Sequence, residues 1–358
     1  MMFSLRPISR WLPLVGAAAL ALTPLGGLGS AAASAGAITE FPLSGANLAP
    51  TSITAGPDGN LWFTENGSIG RMTTSGTVTQ FPHAAGTSMT PGPDGALWFT
   101  ETGRGMIGRV TTSGAFAEFN LPGNPPPGAT YSQTLIDHPE AITVGPDGAL
   151  WFTVQSFSKT CSCTVGGKIG RITTGGAITE FTLPSGNTRS TRPRAMGITT
   201  GPDGALWFTD TNLATIGRMT TSGALTQFNV PQGRPQGITA GPDGNLWFTA
   251  NSGQNALLGR LTPGGAFTEF TVASSVDGVS VGMAIAAGPD NNLWIADYDT
   301  LTATGSILRV TTGGAVTTFP LAQYDEIDGI TRGPDGAMWF TVTHIQTETS
   351  AVGRITTS

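Results

Sequence analysis

Three histidines, two cysteines and a thin set of carboxylates carry most of the chemistry the sequence could support. His138 lies in Asp137-His138-Pro139-Glu140 and His344 in Thr343-His344-Ile345; an imidazole at either place could take or give a proton near neutral pH. Glu326 and Asp328, in Asp325-Glu326-Ile327-Asp328, could act as acid and base or hold a divalent cation. Glu140, Arg194 and Gln236 are candidate ligand contacts, with Arg189, Arg192 and Arg234 as further basic residues nearby in the chain. His83 follows an apolar-polar alternation and is expected to be a solvated loop residue. Cys161 and Cys163 are expected to be either a disulfide or a pair of free thiols, since Cys-Ser-Cys without a nearby histidine is a weak metal motif. There is no glycine-rich phosphate loop, serine nucleophile elbow or His-Glu-x-x-His motif.

The elements that would position these groups come from a repeat. Gly-Pro-Asp-Gly turns begin at Gly56, Gly92, Gly145, Gly201, Gly241 and Gly333, with Gly288-Pro289-Asp290-Asn291 as a variant. Each is followed by a Trp block (Trp62, Trp98, Trp151, Trp207, Trp247, Trp294, Trp339) and then an apolar-Gly-Arg block (Arg71, Arg109, Arg171, Arg218, Arg260, Arg309, Arg354). Leu308 replaces the glycine before Arg309. A Thr-Thr-Ser-Gly type turn then leads into an alternating segment such as Ala177-Ile178-Thr179-Glu180-Phe181. Each repeat reads as four short strands, here lettered a to d from the centre outward. The continuous apolar b strand implies burial on both faces, and the alternating d strand implies half-exposure. The turn aspartates are read as turn formers, the tryptophans as core, and the seven arginines as local partners or solvated edge residues.

Seven such units predict an all-β chain, a seven-bladed β-propeller of four-stranded antiparallel blades. The sequence stops after the third strand of the seventh unit, and Ala37-Ile38-Thr39-Glu40-Phe41 supplies the missing outer strand, so the N-terminal strand is expected to complete the C-terminal blade. The a–b and c–d turns are uniform in length. The b–c and d–a connections vary, with insertions from Asn120 to Pro139, Gln155 to Lys168, Ser185 to Met196, Asn251 to Leu258 and Tyr298 to Ser306. Both variable connections fall on one face, which is therefore the expected working face. The residue preceding each inner strand should sit at the channel mouth there: Thr51, Ser88, Glu140, Met196, Gln236, Met283 and Asp328.

Composition agrees with this reading. Among 358 residues, 51 Gly and 25 Pro argue against a coiled coil or helical bundle, and eight Trp with 39% hydrophobic residues argue against disorder. A net charge of −6 with two lysines leaves no basic footprint for nucleic acid. Arg6 and Arg10, the apolar run Trp11 to Leu22 and Ala33-Ser34-Ala35 have the layout of a cleaved secretory signal peptide over 1–35. The expected product is a secreted or extracytoplasmic, monomeric single domain over 36–358, without a membrane span, bearing 15 basic and 23 acidic residues.

The blocks Gly237-Ile238-Thr239-Ala240-Gly241-Pro242-Asp243-Gly244-Asn245-Leu246-Trp247-Phe248-Thr249 and Lys168-Ile169-Gly170-Arg171-Ile172-Thr173-Thr174 resemble the virginiamycin B lyase (streptogramin B lyase) family. The resemblance covers essentially the whole chain after the leader. It implies an enzyme that opens a cyclic depsipeptide by elimination across an ester C–O bond, without water and with Mg²⁺. It also implies histidines before the inner strands of the last two blades, in Pro-His-Gly/Ala-Ile motifs, with a glutamate nearby. Here those positions hold Met283 and Asp328, while Glu326 matches the glutamate. The reading that results is a lyase-like propeller that binds a small-molecule ligand or a protein partner at the variable-loop face. Its alternatives are an Mg²⁺-dependent C–O lyase and a non-enzymatic envelope interaction module.

Overall fold

The computed structural model describes residues 35–45, 48–84, 86–124, 135–186, 188–252, 256–273, 284–299, 303–323 and 325–357. All of the expected 1–35 leader except Ala35 lies outside the described residues, as do Met283 and the Arg189 side chain. Within the described residues the chain forms seven antiparallel blades and one 3-10 turn, Arg189–Thr191. Inner strands of successive blades touch, and that of blade 7 touches that of blade 1, which closes the propeller. Blade 4 shows the unit: a, Ala195–Thr200; b, Leu206–Asp210; c, Thr215–Met219; d, Leu225–Asn229. Its b strand is buried at every residue because it lies between neighbouring sheets, whereas no residue of the d strand is fully buried.

The repeated polar residues form one local device. In all seven blades the indole N–H donates to Oδ1 of the turn aspartate, at 2.8–3.0 Å. In blades 2, 3, 4 and 7 the c-strand arginine Nε donates to Oδ2 of the same aspartate, at 2.6–2.7 Å. In all seven its guanidinium lies 5.8–6.0 Å from the tryptophan ring centroid. In blades 1 and 5 Asn60 and Asn245 donate to that oxygen at 2.8 Å and Arg71 and Arg260 stand off at 4.0 Å, whereas in blade 6 Asn292 donates to it at 2.8 Å with Arg309 Nε also 2.8 Å away. The arginines are therefore local partners, as their repetition suggests.

Blade 6 carries a paired exception. Elsewhere a b-strand phenylalanine lies across the c-strand glycine: a Cβ on Gly170 would fall 2.1 Å from the Phe152 ring. Blade 6 has Leu308 at the glycine position and Ile295 at the phenylalanine position, so a branched side chain fills the space the ring leaves.

Blade 7 is built from both ends of the chain. Ile38–Pro42 pairs with Thr349–Ile355, Ile38 opposite Ile355 and Pro42 opposite Ala351. The ends also rebuild the c–d turn without a covalent link. Gly36 N–H donates to Thr356 O at 2.8 Å and Thr356 N–H to Ala37 O at 3.1 Å, as Gly76 and Thr73 bond Thr73 O and Thr77 O in blade 1 at 2.9 and 3.0 Å.

Several expected loops are instead longer strands. In blade 3, b and c run on as Leu150–Ser158 and Cys163–Ile172, leaving a four-residue turn. Blade 6 also extends its b and c strands, to Leu293–Asp299 and Thr304–Val310. Continued pairing satisfies backbone groups that an irregular loop would leave to water. Of the Asn120 to Pro139 insertion, Asn120 ends the outer strand of blade 2, 121–124 form a turn, 125–134 lies outside the described residues, and 135–139 joins the inner strand Leu135–Val144.

Candidate functional site

A threonine and a bulge set the channel-mouth residues in place. The b-strand threonines accept a backbone N–H from the start of their own inner strand: Ala141 to Thr153 at 3.1 Å, Gly197 to Thr209 at 2.9 Å, Gly329 to Thr341 at 2.9 Å. Three of them also donate to the carbonyl of the channel-mouth residue one blade on: Thr100 to Glu140 at 2.7 Å, Thr153 to Met196 at 2.7 Å, Thr209 to Gln236 at 2.5 Å. At the same place the a–b register slips, between Pro139 and Ile142, Ala195 and Ile198, and Pro235 and Ile238. A bulge there turns the side chain toward the axis. The threonine recurs in every blade but the sixth, which has Ala296; the channel-mouth residue differs from blade to blade.

Thr51, Ser88, Glu140, Met196, Gln236 and Asp328 consequently line one cavity of about 270 Å³. These are six of the seven positions read from the sequence as the channel mouth. The two acids carry its electrostatics. Burial pushes the Glu140 carboxyl up to about 7, against a smaller opposing pull from Arg194. Burial, with the charge of Glu326 added, pushes Asp328 up to about 6. Both groups can therefore exchange protons near neutral pH in a partly enclosed space. Gln236 is shared with a second cavity of about 600 Å³ lined by Thr211, Asn212, Arg234 and Asn251, among others.

The other candidates lie elsewhere. His138 Nδ1–H donates to Thr102 O at 2.6 Å, and its ring meets Phe157 edge-on, 5.9 Å between centroids. His344 Nδ1 is 2.6 Å from Oδ1 of the buried Asp325, and its Nε2 is 3.4 Å from Glu40 on the outer strand. Neither histidine lines the cavity, nor does Glu326, which acts on Asp328 through its charge. Arg194 is exposed at the rim, its backbone N–H bonded to Asp210 at 3.0 Å. Among the described residues no hydrogen bond joins any two of His138, Glu140, Glu326, Asp328 and His344.

His83 departs from expectation. It is stacked on Phe116 at 4.1 Å, with Nε2 3.2 Å from Glu101 and 3.4 Å from Glu118. The next blade's aromatic residue and carboxylates cover it, which its place after an outer strand did not reveal. With Glu101 and Glu118 it forms a group whose ligand atoms lie within 4.8 Å of one another, but Arg104 already bridges both carboxylates. The group is a salt-bridged contact between blades. Buried acids closing the b strands were also missed: Glu65, Glu101 and Asp210 are each at most 1% exposed. Their only signal is an acid directly after Leu-Trp-Phe-Thr.

Fold and channel mouth together define a seven-bladed propeller with an acidic pocket at one end of its axis. The virginiamycin B lyase family model matches residues 28–130 and 129–358, and the chain belongs to that family. It is similar to a streptogramin B lyase structure at 30% identity, covering 90% of this chain and 98% of that one, TM-score 0.72. It is also similar to virginiamycin B lyase from Staphylococcus aureus at 32% identity, covering 89% and 99%, TM-score 0.71. A catalytically inactive variant of that enzyme with quinupristin matches at 30% identity, covering 89% and 99%, TM-score 0.70. No curated protein gives a significant match.

Proposed function

We propose that the channel mouth binds a small organic ligand through Glu140, Asp328 and Gln236, with Arg194 at the rim. The supporting observation is a contrast within the repeat. Scaffold positions recur blade after blade, whereas the cavity positions read Thr, Ser, Glu, Met, Gln and Asp. Differing side chains on a repeated frame give the ring one asymmetric site. A cavity of about 270 Å³ suits one ring or side chain of a larger ligand, and the cavity beyond Gln236 offers room for the rest. The reading includes export by the 1–35 leader, a monomeric ring, and no role for nucleic acid. Among the described residues no helix is long and apolar enough to cross a membrane.

Quinupristin, bound by the inactive Staphylococcus enzyme, is the first probe. Calorimetry should show saturable binding that Ser88→Trp, which fills the mouth, abolishes. Absence of heat, or equal heat with the mouth filled, would count against the site.

A second reading is favoured by the raised carboxyls. As a C–O lyase, the protein would use Glu140 to take the proton from the carbon next to the one that bears the ester oxygen. A C=C bond forms between these two carbons, the C–O bond breaks, and the ester leaves as a carboxylate. Glu326 and Asp328 would hold Mg²⁺, since the charge by which Glu326 raises Asp328 is one a divalent cation offsets. When bound, the ion polarises the ester. A linear product of unchanged mass, with turnover at least tenfold lower in Glu140→Gln, would support this reading. Intact ligand after prolonged incubation leaves the binding reading alone. Mg²⁺ fit is read separately by calorimetry on wild type and Glu326→Ala.

A further inference from the structure

The extended b–c hairpin of blade 3 ends in a disulfide between Cys161 and Cys163, two residues apart. A staple is a poor account of it. A bond that closes so small a loop restricts the unfolded chain least, and the strands it joins are already in register, Ser158 opposite Cys163 and Phe157 opposite Thr164. It also holds Ser162 at φ 47°, the left-handed region that residues with a side chain seldom occupy. The surroundings suit exchange. Cys161 is exposed at the tip, whereas Cys163 is 8% exposed with the Arg192 guanidinium 3.7 Å from its sulfur.

We propose that this hairpin tip is a thiol–disulfide exchange site for small-molecule thiols. The thiolate of the external thiol attacks Cys161 Sγ, forming a mixed disulfide as the Cys161–Cys163 bond breaks. Cys163 leaves as a thiolate beside Arg192, whose positive charge makes it the better leaving group. A second thiol then attacks the external sulfur of the mixed disulfide, releasing the oxidised small thiol and leaving Cys161 as a thiol. The net change is one protein disulfide reduced and two thiols oxidised, and it reverses under an oxidised pool.

Glutathione is the probe. The folded protein is equilibrated with reduced and oxidised glutathione, acid-quenched, alkylated and weighed, while tryptophan emission reports the seven-bladed core. Dithiol and disulfide forms should both be populated at physiological glutathione ratios, with unchanged emission. Cys163→Ser should accumulate a mixed disulfide on Cys161. Arg192→Gln should slow reduction about three- to tenfold, and Arg192→Lys should restore most of the rate. A disulfide that stays oxidised in excess glutathione and yields only to dithiothreitol would overturn the proposal, as would an Arg192→Gln rate equal to wild type. Loss of native emission on reduction would make the bond a structural staple and overturn it equally.

Discussion

Glu140 and the aspartates of the repeated turns are carboxyls moved in opposite directions by their surroundings. At Glu140 and Asp328 burial dominates, and the native carboxyl keeps its proton to about 7 and about 6. The folded state then binds more protons than the unfolded chain from about pH 4 upward, so stability falls as pH rises through those values. Glu140→Gln should remove this loss: at pH 8 the variant should be more stable than wild type by about 1–2 kcal/mol, and at pH 4 nearly equal. Urea unfolding at both values checks it. The turn aspartates behave oppositely. Burial works to raise Asp203, but bonds from Trp207 and Arg218 outweigh it and hold the group below its usual range. Asp203→Ala should cost about 1–3 kcal/mol by leaving a buried indole N–H without its acceptor. The denaturation midpoint, with no change in slope, is the readout.

At the scale of the strand, blade 6 tests whether side-chain volume alone sets the b–c contact. Ile295→Phe should destabilise by about 1–3 kcal/mol because Leu308 occupies the space the ring needs. Adding Leu308→Gly should recover most of the loss, since Phe152 over Gly170 is the arrangement elsewhere. A double-mutant cycle with no coupling would contradict this packing account. The same blade shows what could be read from residue order. Strand type and turn chemistry were legible because each is local and recurs in every blade, and Leu308 stood out as the single departure from the recurring glycine. The partner of that exception, Ile295, was visible too but acquires meaning only once the register places it opposite Leu308. His83 was not legible: its cover comes from Phe116, Glu101 and Glu118, and nothing near His83 in the chain announces an inter-blade contact. The channel-mouth positions were legible for the opposite reason. A fixed offset before each inner strand defines them, and in blades 3, 4 and 5 a threonine of the preceding blade holds the residue at that offset by its carbonyl.

For the whole ring, the two groups of carboxyls set one pH profile. All seven turn aspartates are held below their usual range, so the stability they confer is present above about pH 4 and is lost as pH falls through their lowered values. With the channel-mouth acids opposing from the alkaline side, stability should peak between about pH 4 and 6. A thermal midpoint followed from pH 3 to 8 should show that maximum. Closure matters equally. The segment Ile38–Pro42 covers the last strand, and Phe41 stacks on Trp339 at 5.4 Å, so removing residues 36–42 should expose an unpaired edge and abolish a single cooperative transition. The site itself belongs to this scale, since its six described channel-mouth residues come from six blades. Carboxyl carbon NMR of Glu140 and Asp328, titrated from pH 3 to 9 without and with quinupristin, addresses it most directly. The account predicts midpoints of about 7 and about 6 that both move when the ligand is added. Two ordinary midpoints near 4, indifferent to the ligand, would contradict it.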